Sequence, residues 1–220
     1  MNQTATTHQK TMRLVIYLAG IITLAFGITI STITGLGVSP LISMSFCVSE
    51  IWKLSFPVLT FIMYSLFVGI QFLLRGKHSR IRDLLQLPFS LVFSGLLSLC
   101  GMVLNFTLPH LWQNLLLLIL GIVLTGVGAA MTVNMRLVAN PADALAQTVG
   151  EVTKKGMGLG KNIIDFSAVG ITLLISLIAV HRPVGIGIGT VVAMIGIGRV
   201  VAIFNHFFKE KMNRAAGLES

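Results

Sequence analysis

The sequence predicts an all-α membrane protein: six transmembrane helices built as two inverted three-helix repeats, each with a short proline-initiated helix between its first and second spans. Three observations carry this expectation. The chain is 55% hydrophobic and 10% charged with mean hydropathy +0.90, whereas a soluble domain is about 25% charged. It matches itself without a gap at an offset of 101 residues. Its basic residues fall on one side of a six-span arrangement.

Apolar stretches long enough to cross ~30 Å of hydrocarbon lie near residues 12–33, 57–74, 84–105, 111–133, 162–180 and 185–208. They divide the chain into a polar tail (1–11), a first three-span repeat (12–105), a second (106–208) and a polar C-terminal tail (209–220). The first stretch is too long for a signal-peptide core and lies inside the repeat, so it is read as part of the fold. From Gly20 to Leu73 the offset gives 13 identities in 54 positions, where about four are expected by chance. Gly20, Gly27, Pro40, Glu50 and Lys53 fall on Gly121, Gly128, Pro141, Glu151 and Lys154. These residue types constrain backbone shape more than they fill space.

An odd number of spans per repeat forces the second copy to enter the membrane upside down, a plan frequent among secondary transporters. The charges agree. Lys10, Arg13, Arg75, Lys77, Arg80, Arg82, Arg136, Lys154, Lys155, Lys161, Lys209, Lys211 and Arg214, 13 of the 16 basic residues, share one side. That side is the cytoplasm, with both termini in it. The net charge of +9 is thus a topology signal rather than a nucleic-acid footprint, and the bilayer is the expected partner. Cys47 and Cys100 suggest no disulfide framework or metal site.

The short helices break this pattern. Thr34-Gly35-Leu36-Gly37-Val38-Ser39-Pro40 leads into an apolar run ending at Glu50. Its partner leads through Asn140-Pro141-Ala142-Asp143 to Glu151. Ser39 and Asn140 suit an N-cap and the prolines the first helical position, with Asp143 placed to complement the helix dipole. Each helix is too short to span. It either lies on the surface as a connector or re-enters the membrane with its N-terminal N–H groups facing a cavity. Gly35 and Gly37 stand where the chain must break a helix.

Gly-Leu-Gly-Val-Ser-Pro at 35–40, Asn-Pro-Ala-Asp at 140–143 and Gly-Ile-Gly-Thr at 187–190 resemble the YczE/YyaS/YitT membrane protein family, most closely its short YczE-like branch. The resemblance covers nearly the whole chain and implies a multi-pass protein of a bacterial cytoplasmic (inner) membrane. Some members of that family are linked to production of lipopeptide-type secondary metabolites. An acidic residue often follows the first proline in the family; here Leu41-Ile42 stands there.

Charges inside spans are expensive and mark candidate sites. Arg199 lies within the sixth span and Asp165 one turn into the fifth. A short His181-Arg182-Pro183 link suggests that these spans pack side by side, so Asp165 and Arg199 form either a structural pair or part of a binding site. The candidate substrate-binding set is Gly37, Ser39, Pro40, Asn134, Asn140, Pro141, Asp143, Asp165, Thr190 and Arg199. With Arg199 and two helix N-termini around one cavity, the expected substrate is a polar, anionic metabolite. Asn134, Asn162 and Thr190 serve equally well as packing residues, and Glu50 and Glu151 suit helix ends. No catalytic constellation, metal cluster or cofactor fingerprint appears; Gly185-Ile186-Gly187-Ile188-Gly189 has no preceding strand. The functional expectation is a small transporter or facilitator working by alternating access, with a small-molecule substrate and, at this size, scope for a homodimer. The alternative is a membrane accessory or regulatory protein that transports nothing.

Overall fold

The structure, a computed structural model, describes residues 6–78 and 81–218. Arg80, the remainder of the two tails and the side chain of His78 lie outside the described residues. Eight α-helices are present and no strand among the described residues: α1 (Thr7–Ile33), α2 (Pro40–Trp52), α3 (Phe56–Arg75), α4 (Gln86–Val103), α5 (Leu111–Asn134), α6 (Pro141–Val152), α7 (Gly156–Val180) and α8 (Ile188–Ala215). Six are long and apolar enough to cross a membrane, and α2 and α6 are the short pair. The large apolar side chains left exposed lie mostly on the six long helices. That is the surface a lipid environment requires.

The ends differ from expectation. Thr6 and Gln9 form a reciprocal capping box, so residues 7–11 belong to α1. α7 starts at Gly156 because Gly158 and Lys161 do not interrupt a helix that is already packed on α6. α8 runs on to Ala215, where Asn213 and Ala216 are buried. The residues expected as loose tails are therefore largely helical where they are described.

α1 and α5 form the centre. Gly20 lies against Met131 and Thr132, Gly27 against Gly121 and Thr125, and Gly121 against Ser31. Position rises along one helix as it falls along the other, so the pair runs antiparallel. The contacts are also reciprocal: Gly128, 101 residues after Gly27, meets Gly20 and Leu24, 101 residues before Gly121 and Thr125. Absent side chains let the two backbones touch, a device that membrane helices use in place of a hydrophobic driving force. Around this pair, α4 packs on α1 and α3, while α8 packs on α5. α2 lies on α7 and α3, and α6 lies on α7 and α3.

Arg13 fastens the other end of the crossing. Its Nε donates to the Met135 carbonyl at 2.7 Å and an Nη to the Arg136 carbonyl at 2.8 Å, while Tyr17 donates to the Val138 carbonyl at 2.8 Å. A guanidinium at the end of α5 suits its unsatisfied carbonyls and dipole. Arg13→Gln is expected to lower stability by roughly 1–3 kcal/mol, read as a fall in the thermal midpoint of the detergent-solubilised protein. An unchanged midpoint would show that Arg13 does not fasten the α5–α6 loop.

The expectation that the fifth and sixth spans lie side by side is corrected. α7 rests on α2 and α6, whereas α8 rests on α5, and the two have no extensive contact. The link is not a tight turn, because residues 181–187 cross the α1–α2 loop. There Val38 N–H donates to the Gly185 carbonyl at 3.1 Å, and Gly189 N–H donates to the Leu36 carbonyl at 2.8 Å. The two chains approach so closely that Gly37, at φ 109°, has no room for a methyl group beside Thr190 and Gly187.

Candidate functional site

The short helices both begin at one cavity of about 60 Å³. Ser39, Pro40, Leu41 and Ile42 border it from α2, and Asn140, Ala142 and Asp143 from α6. Tyr64 enters from α3, Thr125 and Ala129 from α5, Lys161 and Asp165 from α7, and Met194 and Ile197 from α8. The walls are mainly apolar, so each polar group acts where water is scarce.

The α6 end is satisfied. Asn140 Oδ1 accepts the Ala142 N–H at 2.9 Å, while its Nδ2 donates to the Tyr64 hydroxyl at 3.3 Å. The next carbonyl, that of Pro141, accepts from Gln71 Nε2 at 3.1 Å, and Gln71 is paired amide to amide with Gln86. One side chain thus caps the helix and anchors it to α3. The cap follows from the sequence, since Asn immediately before Pro leaves an acceptor poised over the first free donors.

The α2 end is not satisfied. Ser39 makes no side-chain capping bond, and no acceptor among the described residues bonds the Leu41 N–H. α2 is held by its next turn instead, where the Ser43 and Thr172 hydroxyls lie 2.9 Å apart. Opposite, Asp165 is 2% exposed. Its Oδ2 lies 3.4 Å from Lys161 Nζ, one helical turn earlier, and its Oδ1 is buried with no partner. Asp143 has no hydrogen bond or ion pair among the described residues; the charge of Lys161 acts on it, and its own charge acts on Asp165. Two carboxylates, one ammonium and two helix N-termini therefore converge. Among the described residues no three or more His, Cys, Asp or Glu side chains gather as a metal site would need.

Of the expected site residues, Ser39, Pro40, Asn140, Asp143 and Asp165 border the cavity, while Pro141 stands just behind it through its carbonyl. The others do structural work. Gly37 and Thr190 form the loop crossing, with Thr190 Oγ1 bonded to Gly187 N–H at 3.3 Å. Asn134 Nδ2 donates to Asn205 Oδ1 at 2.6 Å between α5 and α8, and Asn162 is exposed. Arg199 is exposed on α8 and forms no ion pair among the described residues. The pairing of Asp165 with Arg199 is corrected: α8 packs through the face carrying Ala193, Gly196 and Val200, which turns Arg199 away, and Lys161 takes its place. Lys161 and Tyr64 are the cavity residues that sequence reasoning missed. Their signals were present, as Lys161 is four residues from Asp165 and Tyr64 is 101 residues before it.

Arg75, at the end of α3, binds Asp83 at 2.7 Å and Glu151 of α6 at 3.1 Å. Glu50 pairs locally with Lys53 at 3.6 Å. Both glutamates sit at helix ends, outside the cavity.

Eight helices among the described residues, six of them of spanning length, with apolar outward faces define a polytopic membrane protein. Over residues 11–206 the chain matches the family described as a family of unknown function, DUF6198, and it belongs to that family. It is 29% identical over 181 residues to the uncharacterized membrane protein YczE of Bacillus subtilis (strain 168), covering 80% of this chain and 78% of that protein. The expected YczE-like resemblance is borne out. No solved structure matches the chain.

Proposed function

We propose that the protein is a small transporter or facilitator for a polar metabolite, and that α2 and α6 are re-entrant half-helices in an inverted repeat. The observation that carries this reading is the convergence on one cavity of both short-helix N-termini and of Asp165, whose Oδ1 has no partner. Half-helices whose free ends face a central polar site are the recurring way that membrane transporters bind substrate. A buried carboxylate with one oxygen left unsatisfied is costly to stability, and ionisable groups inside membranes are usually retained for function.

The inverted repeat supports the mechanism. The antiparallel, reciprocal contacts of α1 with α5 are those of a pseudo-two-fold axis lying across the helices. Two halves so related exchange roles when the assembly rocks, giving inward- and outward-facing states of similar energy. In this reading both termini lie in the cytoplasm and the protein in a bacterial inner membrane, supported by the bias of its basic residues. The Arg75–Glu151 and Arg75–Asp83 pairs then close the cytoplasmic side and break when it opens.

The preference for anions is weakened, because it rested on Arg199 together with the two helix N-termini, and only the N-termini reach the cavity. Asp143 and Asp165 outnumber Lys161, so the reading keeps a polar substrate without an anionic one. The test is counterflow in proteoliposomes: a pooled set of small polar metabolites is loaded, and retention is compared between wild type and Asp165→Asn. Exchange by wild type alone supports transport. Equal retention in both, and in empty liposomes, favours an accessory protein.

A further inference from the structure

Ser39 against Asn140, Ile42 against Asp143 and Tyr64 against Asp165 set the two halves of the cavity apart. In the α6 half, the Asn140 carboxamide performs two tasks. Its oxygen accepts the Ala142 N–H, and its nitrogen donates to the Tyr64 hydroxyl. Leu41 stands 101 residues before Ala142, and Asp165 the same distance after Tyr64. Between this second pair stands Ser39, which does neither task. What remains is a free donor, the Leu41 N–H, and a buried acceptor without a partner, Oδ1 of the cavity residue Asp165, with the unbonded Asp143 carboxylate bordering the cavity from α6.

We propose that the cavity binds a small zwitterion, an ammonium-bearing carboxylate of about five or six heavy atoms, whose two ends take the places that Asn140 fills in the other half. This inference rests on the transporter reading above and names its substrate class. The ammonium goes to Asp165 Oδ1, where a charged donor meets a carboxylate. The carboxylate goes to the uncapped start of α2, where a free N–H and the helix dipole favour an anion. Charge balance agrees. Two carboxylates, one ammonium and two helix N-termini of about +0.5 each sum to roughly zero, so neither a bare cation nor a bare anion is favoured. Size agrees too. A water needs about 10–15 Å³ of such volume, so about 60 Å³ holds roughly four to six such groups.

The test is thermal stabilisation of the purified full-length protein by glycine or L-alanine, with methylammonium, acetate and acetamide as half-ligands. A rise of roughly 5 °C or more is expected at a hundredfold excess over Kd for the amino acids, with none for the half-ligands. Ser39→Asn places the missing carboxamide between Leu41 N–H and Asp165. It is expected to raise the unliganded midpoint and to remove the response to glycine. The proposal is overturned if acetate or methylammonium stabilises as well as glycine, if no amino acid stabilises, or if Ser39→Asn responds like wild type. Binding of glycine without movement in proteoliposomes would overturn transport and leave the zwitterion site standing. Movement of another solute without a glycine response would do the reverse.

Discussion

Gly128→Val is expected to yield no folded protein, and Gly128→Ala to cost several kcal/mol. A methyl group on Gly128 would overlap the Leu24 backbone nitrogen and lie 2.7 Å from the Gly20 carbonyl oxygen and 2.8 Å from Leu24 Cα. All three obstacles are backbone, so no rotamer change relieves them. α1 and α5 would have to separate along their whole crossing, which also carries Gly27 against Thr125. Overpacked cores lose about 1–3 kcal/mol where side chains can yield, and here they cannot. Gly95→Ala is the control: a methyl group there meets nothing within 4 Å, and in a helix interior it is expected to be neutral or slightly stabilising. Size-exclusion profiles and thermal midpoints in detergent separate these outcomes. A Gly128→Ala protein as stable as the Gly95→Ala control would contradict the close crossing.

Asp165→Asn is expected to do the opposite: keep or raise stability while abolishing ligand response and transport. The side chain is 2% exposed with one oxygen unpartnered, so ionisation there lacks full compensation. The amide removes that charge with almost no change in volume. Lys161 tolerates the loss because its side chain is 33% exposed and reaches polar surroundings. Loss of the carboxylate removes the charge-assisted bond to the substrate, worth about 1.5–3 kcal/mol, or roughly 10- to 150-fold in affinity. The two changes are read on one preparation, the midpoint without ligand and its shift with ligand. A destabilised Asp165→Asn protein would mark the carboxylate as structural. An undiminished ligand response would remove it from the site.

These two residues also show how much the sequence disclosed. The glycines were visible because the 101-residue alignment repeats them, and a matched Gly in an apolar stretch already implies close backbone approach. The α6 cap was visible for a local reason, since Asn-Pro-Ala-Asp fixes both the cap and the first turn. Arg199 was misjudged for a reason of the opposite kind. α8 is apolar nearly all round, so periodicity does not say which face packs; only Gly126, Gly196 and Val200 at the α5 interface decide it. The separation of α7 from α8 was hidden because the course of a seven-residue link depends on the distant α1–α2 loop that it crosses. Lys161 reads as one more cytoplasmic charge until α7 is seen to begin at Gly156. The elements were local, and the identity of the cavity walls was not.

The same asymmetry governs the site. The 101-residue offset matches the two proline-initiated helices, while Ser39 against Asn140 and Tyr64 against Asp165 break it at the cavity. In the transporter reading, a pseudo-symmetric frame gives both orientations similar energy, and an asymmetric pocket gives a single binding pose.

The central claim is that the cavity at the start of α2 and α6 opens in turn to the two sides of the membrane. The direct measurement places a single cysteine at Leu41 in a Cys47→Ala, Cys100→Ala background and labels it with a membrane-impermeant thiol reagent. Labelling is carried out from each side of oriented vesicles. Alternating access predicts labelling from both sides, slowed from both by glycine. Labelling from neither side would contradict the claim, as would labelling from one side only.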